Sequence, residues 1–144
     1  MTSVKQFQVT FDCAEPERVA RFWCEVLGYV VPPPPEGFST WEEFDRALPP
    51  EDRDSAFACV DPTGVGPRLF FHHADSAKSG RNRLHLDIRA TPGRRPTREE
   101  LDAEKDRLVA LGAEVVRLVD QHWGPWPDIY YQLRDPEGNE FCLQ

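Results

Sequence analysis

The residues best placed to do chemistry lie in the segment from Lys78 to Ala90, KSGRNRLHLDIRA. Successive side chains of a β-strand point to opposite faces, so Leu86 and Ile88 would point to one face of a strand here. His85 and Asp87 would point to the other face. An imidazole beside a carboxylate can ligate a metal, move a proton, or form an ion pair with its neighbour and nothing more. We therefore look for function on the face that carries His85 and Asp87.

Length and charge limit the kinds of protein this can be. The chain has 144 residues and a formal net charge of -8, with 25 acidic and 17 basic residues. This length suits one domain with a shared core, and the acidic balance argues against a nucleic-acid partner, which would need a basic surface. No cationic leader and no apolar run of membrane-spanning length is present, so we expect a cytoplasmic protein without a membrane partner.

The four cysteines are scattered along the sequence. Cys13, Cys24, Cys59 and Cys142 form no C-x-x-C pair. This spacing indicates neither a zinc knuckle nor a disulfide framework, and we expect reduced thiols.

The first half of the chain alternates between strand and helix patterns. We predict a strand over residues 4–12 and an amphipathic helix that starts near Pro16 and ends at Gly28. A short strand at 29–31 comes before four prolines. The acidic segment from there to residue 54 is either a lid or a surface excursion, and it has room for a short helical turn. Strands are predicted over 55–60 and from 67 to 72.

The second half repeats this order. The strand in KSGRNRLHLDIRA leads to a helix that begins at a capping-box pattern, Thr97 with Glu100, and stops at Gly112. Strands follow over residues 114–119, 129–134 and 139–144, and a loop with two tryptophans is predicted over residues 121–128.

Two short motifs recur in both halves. In the first half, a helix end at Leu27-Gly28 is followed by an Asp-Pro-x-Gly turn at Asp61–Gly64. In the second half, a helix end at Leu111-Gly112 is followed by the same kind of turn at Asp135–Gly138. An internal repeat at this spacing predicts an α+β fold of two βαβββ modules, about 4–75 and about 81–144, within a single domain of residues 1–144. With the helices outside, the polar faces of the sheets would line one concavity.

Metal-ligating side chains occupy matched strands of the two predicted modules. Gln8 and His85 lie on the first strands, and His72 and Cys142 lie on the last strands. If the polar faces share a concavity, these four side chains converge there. Imidazole and thiolate suit a zinc-like ion, and an amide oxygen is an acceptable weaker ligand.

Five segments carry a resemblance to a known superfamily, and together they span nearly the whole chain: DCAEPERVARFWCEVLGY, GPRLFFHHAD, RNRLHLDIRA, LGAEVVRL and DPEGNEFCLQ. In these segments the chain resembles the glyoxalase, bleomycin-resistance and dioxygenase superfamily, also called vicinal oxygen chelate, and in particular its glyoxalase-like subgroup. The resemblance implies a cup-shaped sheet with helices on its outer face, a homodimer, and a divalent metal held by Gln8, His72, His85 and Cys142. Zinc is the ion expected, because Cys142 stands where active members have a glutamate. Glu140 lies two residues earlier on the same strand face.

Two functions of different class remain open at this point. As an enzyme, the protein would be a metal-dependent lyase, isomerase or dioxygenase that stabilises an anion of a small substrate, with Glu140 or Asp87 as the base. As a binding protein, it would sequester an aromatic or cationic small molecule without metal. The side chains expected to contact the ligand are aromatic: Phe70, Trp123, Trp126 and Tyr130. The two tryptophans could instead form a dimer contact, and Cys142 with His85 could instead act as a nucleophile and its base.

Overall fold

The computed structural model describes residues 3–144 and forms two compact units, the first ending at Ala77 and the second starting at Lys78. Each unit combines helix and sheet, which confirms the predicted α+β class. None of the helices among the described residues has the length and apolar run that a membrane crossing needs.

The first unit has a three-stranded sheet with one long helix and a helical excursion. In chain order its elements are β1 (Gln8–Cys13), α1 (Pro16–Leu27), α2 (Trp41–Ala47), a 3-10 turn (Pro50–Asp52), β2 (Ala56–Cys59) and β3 (Arg68–His73). The strand order is β1-β3-β2, with β1 parallel to β3. The short strand predicted at 29–31 is reduced to a single bridge between Val30 and Val60.

Helix α1 forms because its apolar residues share one face and its ends are capped. Pro16 occupies the first turn, and Gly28 adopts a left-handed φ of 71° that directs its N–H to the Cys24 carbonyl. Val19 and Trp23 are 0% and 1% exposed, and the Trp23 ring lies 5.2 Å from Phe11 of β1. Burial of side chains of this size contributes about 1.5–3 kcal/mol each. This contribution holds α1 against the apolar face of its sheet.

The second unit has the complete βαβββ order. Its elements are β4 (Leu86–Ile88), α3 (Arg98–Ala110), β5 (Glu114–Trp123), β6 (Trp126–Arg134) and β7 (Glu140–Leu143). The strand order is β4-β7-β6-β5, with β4 parallel to β7. The predicted capping box of α3 is present, because the Thr97 hydroxyl accepts from the Glu100 N–H and the Glu100 carboxylate accepts from the Thr97 N–H.

A hydrogen bond identifies the sheet face that α3 covers. The Tyr131 hydroxyl donates to Asp102 of α3 at 2.6 Å. Leu133 lies on the same face as Tyr131 because the two are separated by two residues of β6, and it is fully buried. The opposite face of β6 carries Tyr130 and Gln132.

Several boundaries differ from the sequence prediction, and β1, predicted from residue 4, begins at Gln8. The segment predicted as a tryptophan loop is the end of a hairpin, in which β5 and β6 pair as far as Trp123 and Trp126 around a Gly124-Pro125 turn. Gly124 supplies the positive φ of 62° that such a tight turn requires. The predicted central strand is shorter than expected, so that His85 lies one residue before β4.

The predicted repeat is visible in the Asp-Pro-x-Gly turns. Asp135 is 2% exposed, and its carboxylate accepts from the backbone N–H groups of Glu137 and Asn139 at 3.0 Å and from the Asn139 side chain. Asp61 accepts in the same way from the backbone N–H groups of Thr63 and Gly66. Each aspartate therefore holds the turn that leads into the last strand of its unit.

We predict that Asp135→Ala lowers the free energy of unfolding by about 1–3 kcal/mol, because it leaves the turn's N–H groups without their acceptor. Urea unfolding followed by tryptophan fluorescence measures the change. Asp120→Ala, on the exposed part of β5, is the matched control and should change stability by less than about 0.5 kcal/mol. Equal stability of the two variants would contradict the role given to Asp135.

A second prediction concerns Gly66. A Cβ atom at this position would lie 2.1 Å from the Tyr29 hydroxyl and 3.1 Å from Asp61, so Gly66→Ala should destabilise the first unit. Because the closest clash is with the hydroxyl, Tyr29→Phe should restore part of the loss in the double variant. Additive effects in the thermal unfolding of the single and double variants would show that this contact is unimportant.

Candidate functional site

Four polar side chains form a row across the second unit, one from each strand. The strand registers place Asp87 opposite Cys142, Cys142 opposite Gln132, and Gln132 opposite Arg117. The Arg117 Nε donates to the Gln132 side-chain oxygen at 2.8 Å. This row lies on the face of the sheet opposite to Tyr131 and α3, because side chains alternate along each strand.

Three side chains of this face form a compact cluster. The imidazole Nε2 of His85 lies 3.2 Å from a carboxylate oxygen of Asp87. One ligand atom from each of His85, Asp87 and Cys142 lies within 4.8 Å of the other two. The parallel β4–β7 register causes this, since it sets Asp87 beside Cys142 and leaves His85 on the same face two residues earlier.

The Cys142 thiol is held in its protonated form. Burial, with 8% of the residue exposed, and the neighbouring Asp87 carboxylate raise its pKa to about 11, against smaller opposing effects of Arg81 and Arg117. A thiol with this pKa is a poor nucleophile at neutral pH. The geometry thus gives little support to the alternative in which Cys142 attacks a substrate.

The donor set of the cluster fits a borderline divalent ion. It offers one imidazole nitrogen, one carboxylate oxygen and one thiol sulfur, which are the three donor types that zinc takes in proteins. Zinc bonds of about 2.0–2.3 Å would need the three atoms to draw closer by about 1 Å, which rotation of the half-exposed His85 and Asp87 side chains allows. A hard ion, which prefers an all-oxygen shell, fits less well.

Glu140 does not belong to this cluster. Its carboxylate accepts from the Asn82 N–H at 3.0 Å and lies 3.2 Å from the Lys78 Nζ. Burial raises its pKa, but the Asn82 N–H and Lys78 together outweigh this effect and hold the pKa below its usual value. Glu140 is therefore a weaker base than a free glutamate, and its contacts fix the segment that leads to His85.

Gln8, one of the two ligands predicted in the first unit, has other partners. The Gln8 oxygen accepts from the Arg68 guanidinium at 2.7 Å, and its amide nitrogen donates to Thr10. The register pairs Gln8 with Arg68 but His72 with Asp12, so Gln8 and His72 are separated by about 13 Å along the sheet. The structure does not bring these two side chains together within their unit.

The strand registers also bear on which residues of the two last strands are matched. Leu69 of β3 pairs with Val9 and Cys59, and Phe141 of β7 pairs with Leu86 and Leu133. If Gln8 is matched with His85, as the sequence predicts, these two residues are equivalent, and the position equivalent to Cys142 is Phe70. His72 lies two residues further along, an offset that arises because the loop from Asp61 to β3 is longer than its counterpart before β7.

The aromatic residues predicted to contact ligand lie on polar sheet faces. Tyr130, Trp126 and Trp123 share the face of Cys142 by strand alternation, with Tyr130 half-buried and the tryptophans 60% and 74% exposed. Phe70 lies beneath the Arg68 guanidinium, 5.2 Å from its ring centre. Tyr130 is two residues from Gln132 on β6 and therefore lies near the cluster, whereas Trp126 is six residues from Gln132, about 20 Å along the strand, and Trp123 lies opposite Trp126.

Sequence reasoning did not single out Arg117 and Gln132. A β-bulge between Val115 and Arg117 shifts the register of β5, and without it Gln132 would face Val116. Gln132 could have been found from its two-residue spacing to Tyr130. Arg117 could not, because no periodic pattern reveals the position of a bulge.

A cleft of about 1360 Å³ lies in the first unit, between the start of α1 and the segment that carries α2. Aromatic and acidic side chains form much of its wall, including Trp41, Phe44, Phe57, Glu42 and Asp45. None of the side chains proposed from the sequence lines it. It is a separate candidate for ligand binding.

Comparison with known proteins gives the fold and the family. The structure is similar to a glyoxalase/bleomycin resistance protein/dioxygenase family enzyme from Burkholderia phytofirmans PsJN, with a TM-score of 0.62 and 16% identity over 94% of each chain. It is also similar to FosX, a fosfomycin resistance protein, from Listeria monocytogenes (TM-score 0.62, 16% identity) and from Mesorhizobium loti (0.60, 14%), in each case over 99% of this chain and 92% of the other. The Listeria structure is of a mutant protein complexed with Mn(II) and 1S,2S-dihydroxypropylphosphonic acid.

No curated protein matches the chain in a sequence search. The family model described as a glyoxalase-like domain matches residues 8–144, which is nearly the whole chain. The chain therefore belongs to the glyoxalase-like family and has the vicinal oxygen chelate fold.

Proposed function

We propose that the protein binds a small molecule on the polar face of its second unit, through a divalent ion held by His85, Asp87 and Cys142. The observation that carries this proposal is the approach of three different ligand atoms to within 4.8 Å of one another on one sheet face. The neighbour crystallised with Mn(II) supports metal binding as a use of this fold.

Zinc is the ion that these residues favour. The cluster supplies two anionic groups only after Cys142 loses its proton, and burial and the Asp87 carboxylate keep that proton on the free protein. A soft or borderline ion compensates for thiol deprotonation more fully than manganese does. Because the ion must displace the Cys142 proton, it should bind more weakly than at a site whose thiolate is already formed.

The surroundings of the cluster favour a ligand with oxygen anions. Arg117 uses its Nε for Gln132, which leaves its two Nη groups free of that bond and able to pair with a carboxylate or phosphonate. Tyr130, on the same face, offers a ring and a hydroxyl. The dihydroxypropylphosphonic acid bound by the Listeria neighbour belongs to this chemical class.

The chemistry supplied by a bound divalent ion would be Lewis-acid stabilisation of negative charge on ligand oxygens. Of the two carboxylates predicted as bases, Asp87 lies in the cluster and is half-exposed, so that one of its oxygens would hold the ion while the other could reach a proton of a ligand on this face. Both carboxylate oxygens of Glu140 accept hydrogen bonds, one from Lys78 and one from the Asn82 N–H. We therefore propose that Glu140 holds the Lys78–Asn82 segment in place and does not transfer a proton. Lyase, isomerase and dioxygenase reactions all remain compatible with this assignment.

We predict that the wild-type protein binds zinc more tightly than manganese, and that His85→Ala and Cys142→Ser each weaken zinc binding. The loss should exceed the roughly 10–100-fold that removal of an outer hydrogen-bond partner of a metal site costs. Isothermal titration calorimetry with chelator-treated protein measures the three affinities.

His122→Ala is the matched control, since His122 is an exposed histidine of β5 in the same unit. It should bind zinc like wild type. Unchanged affinity in His85→Ala or Cys142→Ser, or equal loss in His122→Ala, would contradict the assignment of the cluster.

A second candidate function is binding of an organic cation without metal in the cleft of the first unit. Five acidic side chains and three arginines line the cleft, and two of the arginines are paired with Glu15 and Glu17. The other three carboxylates share the wall with one arginine and with Trp41 and Phe44. Carboxylates beside aromatic rings favour cationic aromatic ligands. This arrangement supports the sequestering alternative, at a place the sequence did not indicate.

For this second function we predict that chelator-treated protein is thermally stabilised by quaternary ammonium or arylammonium compounds. Glu42→Gln, in the cleft wall, should weaken binding about two- to fivefold, the effect of one exposed charge. Glu36→Gln, an exposed glutamate of the same segment outside the wall, should leave it unchanged. Equal effects would mean that net charge alone, and not the cleft, attracts the cation.

A further inference from the structure

We propose that Arg21 of α1 is an internal occupant of the cleft in the first unit, and that a ligand with a guanidinium or amidinium group binds there by displacing it. Arg21 lies at an aromatic corner of the cleft, which is formed by Trp41 of α2 and Phe57 of β2. Such displacement rests on the second candidate function, the binding of an organic cation in this cleft.

The aromatic corner has a fixed geometry. The ring centres of Trp41 and Phe57 are 5.5 Å apart, with 48° between the ring planes. The Trp41 indole N–H donates to the Pro32 carbonyl at 2.8 Å, which holds its ring in place, and Phe57 is 7% exposed. Both rings line the cleft, so they form an aromatic surface that needs little rearrangement to accept a ligand.

Arg21 already makes the contacts that a cationic ligand would make. Its guanidinium carbon lies 5.6 Å from the centre of the Phe57 ring. Its Nε and Nη2 donate to Oε1 of Glu17 at 2.9 and 2.7 Å. An aromatic face beneath the cation and a carboxylate beside it both favour a planar guanidinium group. The class of ligand that the corner fits is therefore the class to which the Arg21 side chain belongs.

The contacts of Arg21 are weak enough for a ligand to replace. The side chains of Arg21 and Glu17 are 59% and 54% exposed, and an exposed ion pair or cation–π contact contributes little to stability. The displaced guanidinium remains charged in water. A ligand that contacts Trp41 in addition to Phe57 and Glu17 gains more from the corner than Arg21 does.

Arg18 provides a matched comparison within the same helix. It lines the same cleft, its side chain is 56% exposed, and it pairs with Glu15 at 2.8 Å. Within residues 3–144, the rings that lie beneath a cation are those of Phe57, Phe70 and Tyr131, and none of them is beneath Arg18. The two arginines therefore differ in the aromatic contact but not in charge, helix or cleft.

Removal of Arg21 should consequently open the corner to an external cation. Arg21→Gln and Arg18→Gln each remove one positive charge and release one glutamate from its ion pair. Only Arg21→Gln also uncovers the Phe57 ring. The difference between the two variants isolates the effect of the internal occupant from that of net charge.

The test is a titration of phenylguanidinium into chelator-treated wild type, Arg21→Gln and Arg18→Gln, followed by NMR. Both substitutions replace exposed side chains, so both variants should fold. Arg21→Gln should bind phenylguanidinium about two- to fivefold more tightly than Arg18→Gln, the fold-change that corresponds to one exposed cation–π contact.

A second measurement follows Arg21 in the wild-type protein. The Phe57 ring current shifts the Nε–H signal of Arg21, which is assigned by its absence from the spectrum of Arg21→Gln. Addition of phenylguanidinium should move this signal further than the Nε–H signal of Arg18, because the ligand displaces Arg21 from the ring.

The outcomes separate the proposal from the function on which it rests. Equal affinities of the two variants, or an Arg21 signal that does not move when the wild-type protein is saturated, would overturn the displacement of Arg21 and leave cation binding in the cleft intact. Absence of binding by all three proteins would overturn both. Binding by Arg21→Gln alone would support the proposal, since Arg21 would then close the corner in the wild-type protein.

Discussion

The burial of one face of each sheet beneath a helix is the constraint on which the rest of the structure depends. In the second unit Leu133, Phe141 and Leu143 are almost completely buried on the face that meets α3. Because side chains alternate along a strand, Gln132 and Cys142, which lie between these buried residues, point to the other face of the sheet. The candidate metal site is therefore a consequence of where the apolar residues lie, and a one-residue slip of β7 would remove it.

The candidate site also depends on one parallel pairing. Antiparallel pairing of β4 with β7 would place different residues beside Cys142, whereas the parallel register sets Asp87 there and brings His85 into the cluster. The two carboxylates near this face, Asp87 and Glu140, have different roles. Asp87 raises the pKa of the thiol beside it, while Glu140 is held by Lys78 and Asn82 and stabilises the approach to β4.

Much of the fold follows from patterns that are local in sequence. The capping box at Thr97, the left-handed Gly28 and the paired Asp-Pro-x-Gly turns each depend on a few neighbouring residues, so the sequence predicts them. The row from Asp87 to Arg117 depends on three strand registers and a bulge, which are long-range properties, and only its first two members were predicted. If Gln8 is matched with His85, Phe70 and not His72 is equivalent to Cys142, because the loops before the last strands differ in length between the halves.

The central claim is that His85, Asp87 and Cys142 together hold a divalent ion. X-ray absorption spectroscopy of the zinc-loaded protein tests it most directly, because sulfur and nitrogen or oxygen ligands differ in bond length. We expect one sulfur at about 2.3 Å and the remaining ligands, nitrogen or oxygen, at about 2.0–2.2 Å, with the sulfur absent in Cys142→Ser. A spectrum of wild-type protein that contains only nitrogen and oxygen ligands would contradict it.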